Sequence, residues 1–398
     1  MAGRIYLDSM NGGPLRREVA AAMAEALSEM GNPASQHAEG RRAGQLLDKA
    51  RSHIAALIGV SSEEIYFTSS GTEANTWALH GLTKPHASKV RHLVVSAVEH
   101  LSILQTVRRM ERDGWTVTVV PVDGNGWVDP MEVEKAIRAE TVLVSVQWAN
   151  GEVGTIQPMA EIARRVKGRG VLLHSDAVAA AAALSVDVRS VPVDALSVAA
   201  NTMGGPPGVG ALFIRKGVRI DPLFVGGTQE AGWRSGTENL IGIVGMGQAA
   251  AVTQREFSVE SGRLTSLRDH LIQGILDKIP EARLNGHPAQ RLPGHVSVGF
   301  PGMDAETLVC ALDLEGVAAG IGSACSTQTM KTSHVLKAMG VEESRALGTI
   351  TLTLGPETTE EGMNRVPEIL ARLVFSQRSS QKKRGEDQSP VRPELVEG

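Results

Sequence analysis

A carboxylate and a nearby turn are the features of this sequence that point most directly to chemistry. Val171–Ser175 reads as a buried strand followed by Asp176, and Asp194–Gly217 reads as strand, glycine-rich turn and strand. In an open parallel sheet, an Asp at the carboxyl end of one strand and the turn after the next strand build a ligand crevice. A buried Asp in that place can keep a pyridine nitrogen protonated, as enzymes that use pyridoxal 5'-phosphate (PLP) require.

The same chemistry needs a lysine on the neighbouring turn, where it holds PLP as a Schiff base. The turn contains no lysine, and its residues are Ala200, Asn201, Thr202 and Met203. Lys216 lies beyond the next strand and Lys167 lies before the strand of Asp176, so we expect neither on the crevice side. A crevice closed by Met203 and Met10 would exclude PLP altogether.

A second candidate ligand site follows the strand predicted at Glu64–Phe67. The small residues Thr68–Thr72 lead into a helix that begins near Glu73. Free backbone N–H groups at such a helix N-terminus can cradle a phosphate. Ordinary N-caps have the same composition, so the turn alone does not decide between the two.

The fold class follows from the alternation of strand and helix patterns up to about residue 240. The predicted strands are Val/Leu/Ala runs at His92–Ala97, Val117–Val122, Val142–Trp148, Val171–Ser175, Asp194–Ala199 and Val209–Arg215. The helical patterns between them are Leu101–Arg112, Pro130–Ala139 and Met159–Lys167. This alternation predicts an α/β fold with a mostly parallel sheet wrapped by helices.

The later part of the chain changes to longer helical patterns, first at Ile241–Val252 and Arg263–Lys278. We expect a large domain at 14–252 and a smaller α+β domain formed by 1–13 and 253–375. The polar, charged and proline-bearing residues 376–398 predict a disordered tail.

Bulk composition excludes several classes of function. The 398 residues are 42% hydrophobic and 21% charged, with a net charge of −4, which argues against a nucleic-acid surface. Two cysteines give no disulfide framework, and with scattered histidines they make no metal site. The N-terminus has no signal-peptide pattern and no apolar run could span a bilayer, so we expect a cytoplasmic protein without membrane contact.

The order of motifs along the chain resembles the cysteine desulfurases of the NifS/IscS kind, class V aminotransferase-fold enzymes with the PLP-transferase type I fold. The matching runs are Gly31–Ala43, Phe67–Asn75, Ser96–His100, Gly154–Ile162, His174–Ala177, Gly208–Gly217, Arg234–Asn239 and Gly322–Thr327. The resemblance implies that PLP activates the sulfur of L-cysteine and that a loop cysteine takes it as a persulfide, releasing alanine. The sulfur then passes to acceptors such as iron–sulfur scaffolds.

The resemblance also assigns candidate site residues. The positions that match cofactor contacts are Gly71, Thr72, His100, Asp176 and Thr237. His100 would stack on the ring and transfer protons, and Thr237 would reach the phosphate of the other subunit, which implies a homodimer. Cys325 matches the persulfide-forming nucleophile, whereas Cys310 lies among apolar helix residues and is expected in the core.

The departures from the family pattern lie at positions that contact the cofactor or the substrate in the family. Thr202 stands at the Schiff-base position, and a hydroxyl cannot form an imine. Other family contacts to the cofactor are replaced by Ala199, Asn201, Gly151 and Ala179. Thr351 stands where the family's arginine receives the substrate carboxylate, and the family's N-terminal motif reads Ser9–Gly13 here.

Two main interpretations follow. In the first, the protein has lost most of its PLP chemistry and acts by binding, as a homodimer, as a heterodimer with an active paralogue, or on a sulfur acceptor or iron–sulfur scaffold. In the second, it is an active desulfurase that uses PLP without a lysine anchor and relies on His100, Asp176 and Cys325. A third possibility, a different enzyme that reuses the crevice, stays open, although no new set of catalytic groups is visible.

Overall fold

The computed structural model describes residues 3–29, 31–86, 91–322 and 332–387. Within these ranges the strands are β1 (Ile5–Leu7), β2 (Ile65–Thr68), β3 (His92–Ser96), β4 (Thr116–Val120), β5 (Thr141–Ser145), β6 (Leu172–Asp176), β7 (Ala195–Ala199), β8 (Gly210–Ile214), β9 (Arg283–Leu284), β10 (His295–Gly299), β11 (Val317–Ala319) and β12 (Thr349–Thr353). The helices are α1 (Ser9–Gly12), α2 (Arg17–Ala26), α3 (Ala38–Ile58), α4 (Gly71–Thr83), α5 (Leu101–Arg112), α6 (Pro130–Ala136), α7 (Met159–Gly168), α8 (Leu240–Lys278), α9 (Ala305–Leu314), α10 (His334–Ala338), α11 (Glu343–Leu347) and α12 (Glu360–Asp387).

The large sheet has the strand order β2-β8-β7-β6-β5-β3-β4 in the described part of the chain. β8 runs antiparallel to its neighbours β2 and β7, and the other neighbouring pairs are parallel. β3, β5, β7 and β8 are buried along their whole length, as expected for strands whose two faces are both covered. The predicted α/β fold with a mostly parallel sheet is therefore confirmed.

The smaller α+β part is built on short strands from both ends of the chain. β10 pairs antiparallel with β12 and with β9, and β1 pairs parallel with β11. These strands share a hydrophobic cluster of their own with the second half of α8, with α9 and with α12, through residues such as Leu7, Leu271, Val296, Leu308 and Leu370. The division of the chain at residues 13 and 252 stays a prediction.

Helix α8 is continuous over 39 residues, so the prediction of two separate helices is wrong. The polar residues in the middle of the helix predict an interruption between two helices. Ion pairs stabilise this part instead: Arg16 Nη1 lies 2.7 Å from Glu256 Oε2, and Arg263 Nη2 lies 2.8 Å from Glu260 Oε2. The first half of the helix packs on the large-sheet cluster and the second half on the smaller cluster. α8 is thus the element that joins the two hydrophobic clusters.

Two further expectations are corrected. Cys310 lies on α9 as predicted, but its side chain is exposed because the buried face of that helix consists of Ala305, Leu308 and Leu312. Helix α12 continues to Asp387, so the prediction of disorder is wrong for residues 376–387, and residues 388–398 lie outside the described residues. In the described part of the chain, no helix combines the length and apolar character needed to cross a bilayer.

Candidate active site

Asp176 is the last residue of β6, at the carboxyl edge of the large sheet, and it is 7% exposed. Its Oδ1 accepts a hydrogen bond from the backbone N–H of Val178 at 2.9 Å. Its Oδ2 accepts one from Asn75 Nδ2 at 2.6 Å. Two donors therefore hold the carboxylate in one orientation. A carboxylate that is to contact a ring nitrogen needs a fixed orientation of this kind.

His100 lies close to Asp176 and is connected to it through two side chains. Its Nδ1 accepts from the backbone N–H of Ser102 at 3.1 Å and lies 2.8 Å from Ser102 Oγ. Ser102 Oγ in turn accepts from Asn75 Nδ2 at 3.0 Å. Asn75 and Ser102 are buried, whereas the imidazole of His100 is exposed at the N-terminus of α5.

The turn before α4 also meets this edge of the sheet. Ser70 caps the helix by accepting from Glu73 N at 3.2 Å, and Gly71 and Thr72 are the first two helical residues. A Cβ on Gly71 would lie 2.7 Å from Val178 Cγ2, so only glycine permits this close approach. The N–H groups of Gly71 and Thr72 have no partner within the helix, which suits an anion at this helix N-terminus.

Thr202, which the sequence predicts at the Schiff-base position of the family, lies in the turn after β7. Its hydroxyl donates to the carbonyl oxygen of Val178 at 2.8 Å. The two alternative lysines are engaged elsewhere: Lys167 Nζ lies 2.7 Å from Asp194 Oδ2, and Lys216 is exposed, 3.8 Å from Glu63. The residues of this turn therefore do not fit a covalently attached PLP.

Gly151 and Ala179, two other positions where the sequence predicts that family contacts are replaced, lie together beside Met10 of the N-terminal helix α1. Gly151 and Ala179 face each other, because a Cβ on Gly151 would lie 3.7 Å from Ala179 Cβ. The same Cβ would lie 3.9 Å from Met10 Cγ, so the Met10 side chain stands beside these small residues. Met203, by contrast, is 2% exposed and belongs to the large-sheet core.

The position predicted to match the family's substrate arginine is buried and carries no positive charge. Thr351 on β12 is 3% exposed, and its hydroxyl lies 3.5 Å from the carbonyl oxygen of Glu152. Burial raises the pKa of Glu152 to about 7. A neutral hydroxyl at this position offers a substrate carboxylate no positive charge and no charge-assisted hydrogen bond.

Glu99, the residue before His100, is completely buried between the strands. Its Oε1 accepts from Ser96 Oγ at 2.5 Å and from Gln147 N at 2.9 Å, and its Oε2 has no partner among the described residues. Burial raises the pKa of Glu99 to about 8, and the charge of Asp176 adds to the rise. Glu99 therefore stays protonated at neutral pH.

The structure brings Asp176, His100, Gly71 and Thr72 to one edge of the sheet. Thr237 is exposed in the segment before α8, where Arg234 Nε of the same segment lies 3.0 Å from Glu73 Oε1. Cys325 lies outside the described residues. No cluster of three metal-binding side chains occurs in the residues that the structure describes.

Sequence reasoning missed Asn75 and Ser102, which connect the two predicted polar residues. The available signal was an amide on the buried face of α4, between Ala74 and Ala78, where an apolar residue is the usual choice. A buried amide must find partners, and here both of its N–H bonds point to site residues.

Fold and site together define a scaffold of the aminotransferase type, with Asp176 and the N-terminus of α4 at one edge of the large sheet. The chain belongs to the class V aminotransferase family, whose model matches residues 5–366. It is 43% identical to cysteine desulfurase IscS 1 of Archaeoglobus fulgidus over 375 residues, covering 94% of this chain and 98% of that protein.

Other relatives agree with this assignment. Cysteine desulfurase IscS of Dictyoglomus turgidum is 42% identical over 375 residues, covering 94% of this chain and 95% of that protein. Among solved structures, a NifS-like protein superposes with a TM-score of 0.88 at 34% identity, covering 94% of this chain and 99% of that one. The predicted resemblance to the NifS/IscS kind is confirmed.

Proposed function

We propose that this chain is a cysteine desulfurase-like protein of sulfur transfer and iron–sulfur cluster assembly that is catalytically impaired and acts by binding. The observation that carries the proposal is the hydrogen bond from the Thr202 hydroxyl to Val178 O at 2.8 Å. The residue predicted at the anchor position is a structural tie between the turn after β7 and the turn that follows β6 and Asp176. It offers no amine to hold the cofactor.

The uncharged position at Thr351 and the small, non-polar residues Gly151 and Ala179 support the same proposal. A charge-assisted contact to a substrate carboxylate contributes about 1.5–3 kcal/mol, and a threonine hydroxyl cannot replace it. Met10 beside Gly151 further narrows the space open to a ring. We infer that PLP, which family members typically use, is bound here without a covalent link or is absent.

The binding role that we propose is a docking role in the cytoplasm. The chain would form a homodimer, or a heterodimer with an active paralogue, with Thr237 directed to the neighbouring subunit. Its partner would be an iron–sulfur scaffold or another sulfur acceptor. The large unit at 14–252 would carry the crevice, and the smaller unit at 1–13 and 253–375 would present Cys325.

A specific observation also favours the alternative of an active desulfurase. The linked side chains Asp176, Asn75, Ser102 and His100 form an ordered set on the crevice. PLP, when bound, supplies the electron sink that loosens the carbon–sulfur bond of L-cysteine. In this alternative Cys325 accepts that sulfur atom, so that thiol plus L-cysteine give persulfide plus alanine.

Alanine release from L-cysteine, measured with added PLP, separates the two functions. The variants are Cys325→Ala and, as a matched control, Cys310→Ala, which removes an exposed thiol on α9. We expect the wild-type protein to release no alanine above the background that free PLP produces. Circular dichroism checks that the dimer used in the assay is folded. Turnover that survives Cys310→Ala and disappears in Cys325→Ala would instead establish the active desulfurase.

A further inference from the structure

The hydrogen bonds around His100 determine which of its ring nitrogens carries the proton. The backbone N–H of Ser102 can only donate, and it points to Nδ1 at 3.1 Å. Nδ1 is therefore the unprotonated nitrogen of the neutral ring, and Nε2 carries the proton. This backbone contact is the N-cap interaction that starts α5.

The direction of the next bonds follows from that assignment. Ser102 Oγ lies 2.8 Å from Nδ1, so its hydroxyl must donate to that nitrogen and accept elsewhere. It accepts from Asn75 Nδ2 at 3.0 Å. The second N–H of the same amide goes to Asp176 Oδ2 at 2.6 Å. Every donor and acceptor between His100 and Asp176 then has one defined role.

The orientation of the Asn75 amide is itself set by Asp176. Its Oδ1 is buried without a partner among the described residues, which is unfavourable for a polar atom. Reversing the amide would place that oxygen against the Asp176 carboxylate and leave Ser102 Oγ without its donor. The amide therefore keeps both N–H bonds directed to the site.

We propose that Asn75 and Ser102 are positioning residues that hold His100 as its Nε2–H tautomer and withdraw its basic nitrogen from the crevice. In this state His100 offers a hydrogen-bond donor to a ligand. It cannot take a proton at Nε2, which already carries one, nor at Nδ1 without losing the backbone N–H bond of Ser102 and reversing the Ser102 hydroxyl. The role of the donor toward a PLP-like ring rests on the proposed function, whereas the tautomer does not.

The test is NMR of the imidazole nitrogens in full-length protein labelled with ¹⁵N-histidine, without PLP or cysteine, at about pH 8, where an unperturbed histidine is neutral. The His100 signals are those that disappear in His100→Gln. We expect a protonated Nε2 and an unprotonated Nδ1 in wild type. Ser102→Ala should shift the tautomer ratio toward Nδ1–H by about fivefold, the effect of one ordinary hydrogen bond.

Asn75→Ala gives the sharper result, because Asn75 does not contact His100. It should move the His100 signals in the same direction by freeing the Ser102 hydroxyl to rotate. The matched control is Ser197→Ala, since Ser197 Oγ lies 3.0 Å from Nε2 of the buried His174. That control should change His174 and leave His100 as it is.

Two outcomes would overturn the proposal: a proton on Nδ1 of His100 in wild type, or unchanged His100 signals in every folded variant of Ser102 and Asn75. If Ser102→Ala does not fold, Asn75→Ala alone decides, because it acts one residue further away. The alanine assay has no bearing on either result. Failure of the proposed function and failure of the positioning role are therefore distinguishable.

Discussion

Thr202 and Val178 are joined by a hydrogen bond of 2.8 Å from the threonine hydroxyl to the valine carbonyl oxygen. The N–H of the same Val178 donates to Asp176 Oδ1 at 2.9 Å. The turn after β7 is thereby tied to the residue that orients the carboxylate. A side chain at the predicted position of a covalent anchor thus contributes to the shape of the crevice.

Restoring an amine at this position should restore covalent capture of PLP. After incubation with PLP and reduction with borohydride, Thr202→Lys should carry the cofactor as a stable mass adduct on the peptide containing position 202, and wild type should not. The cost in stability is about 1 kcal/mol for the lost hydroxyl bond. The control is Thr202→Met, which has similar length and no amine. Equal adducts on wild type and variant would contradict the expectation.

Met10 should restrict access to the part of the crevice beside Gly151 and Ala179. Met10→Ala is expected to tighten binding of pyridoxine 5'-phosphate, an analogue that cannot form an imine, as measured by calorimetry. The control is Met23→Ala, because Met23 is likewise partly buried against the large-sheet core. Each change should lower the free energy of unfolding by roughly 1–3 kcal/mol. Unchanged affinity in Met10→Ala would show that this side chain does not limit the crevice.

Glu99 should make the protein progressively less stable as the pH rises from about 5 toward 8. Burial raises the pKa of Glu99 to about 8 from an ordinary value of 4.5, so the folded state holds a proton that the unfolded state has released. The stability that this proton contributes is complete below pH 4.5 and is lost as the pH passes through about 8. The slope reaches about 1.4 kcal/mol per pH unit for one such group.

Urea unfolding at several pH values between about 5.5 and 8 measures this slope, and the difference between wild type and a variant at position 99 removes the contributions of all other titrating groups. Glu99→Gln, which cannot ionise, should flatten the slope. Glu63→Gln is the control, since the Glu63 side chain is 78% exposed. Equal slopes in the wild type and Glu99→Gln would mean that Glu99 ionises in the folded protein as it does in water.

Glu230 should be essential for stability because it partners a largely buried cation. Its carboxylate accepts from Arg51 Nη2 at 2.7 Å and from Phe67 N at 2.8 Å, and its backbone φ is +47°, in the left-handed region. Glu230→Gln should lower the free energy of unfolding by about 2–4 kcal/mol, because it leaves Arg51 without its counter-charge.

The matched control is the exposed pair Arg189–Asp187, in which the Arg189 side chain is 76% exposed. Arg189→Ala should change the free energy of unfolding by less than about 1 kcal/mol. Thermal or urea unfolding measures both variants. Similar losses in the two would mean that the Arg51–Glu230 pair contributes no more than a surface contact.

The elements of the large sheet could be predicted because each one rests on a local pattern. Leu101–Arg112 begins and ends as predicted, and β6 ends at the predicted Asp176. The middle of α8 could not be predicted in the same way. Its polar residues are stabilised by partners such as Arg16, which lies 240 residues away in the sequence.

The candidate site was predictable only in part for the same reason. Motif order identified His100 and Asp176, but the link between them depends on α4 lying across the sheet edge, which no local pattern encodes. For Cys310, apolar neighbours in the sequence do not correctly predict burial of the side chain. Helical geometry turns it to the outer face of α9, while Leu308 and Leu312 face the core.

The pairing of β1 with β11 has a consequence for the order in which the molecule can assemble. Ile5 pairs with Val317, and Arg4 forms an ion pair with Asp313, 309 positions further along. During synthesis the first residues must therefore wait until most of the polypeptide has left the ribosome. Met10 follows directly on that strand, so the crevice reaches its final form late. Contacts so distant in sequence also slow folding.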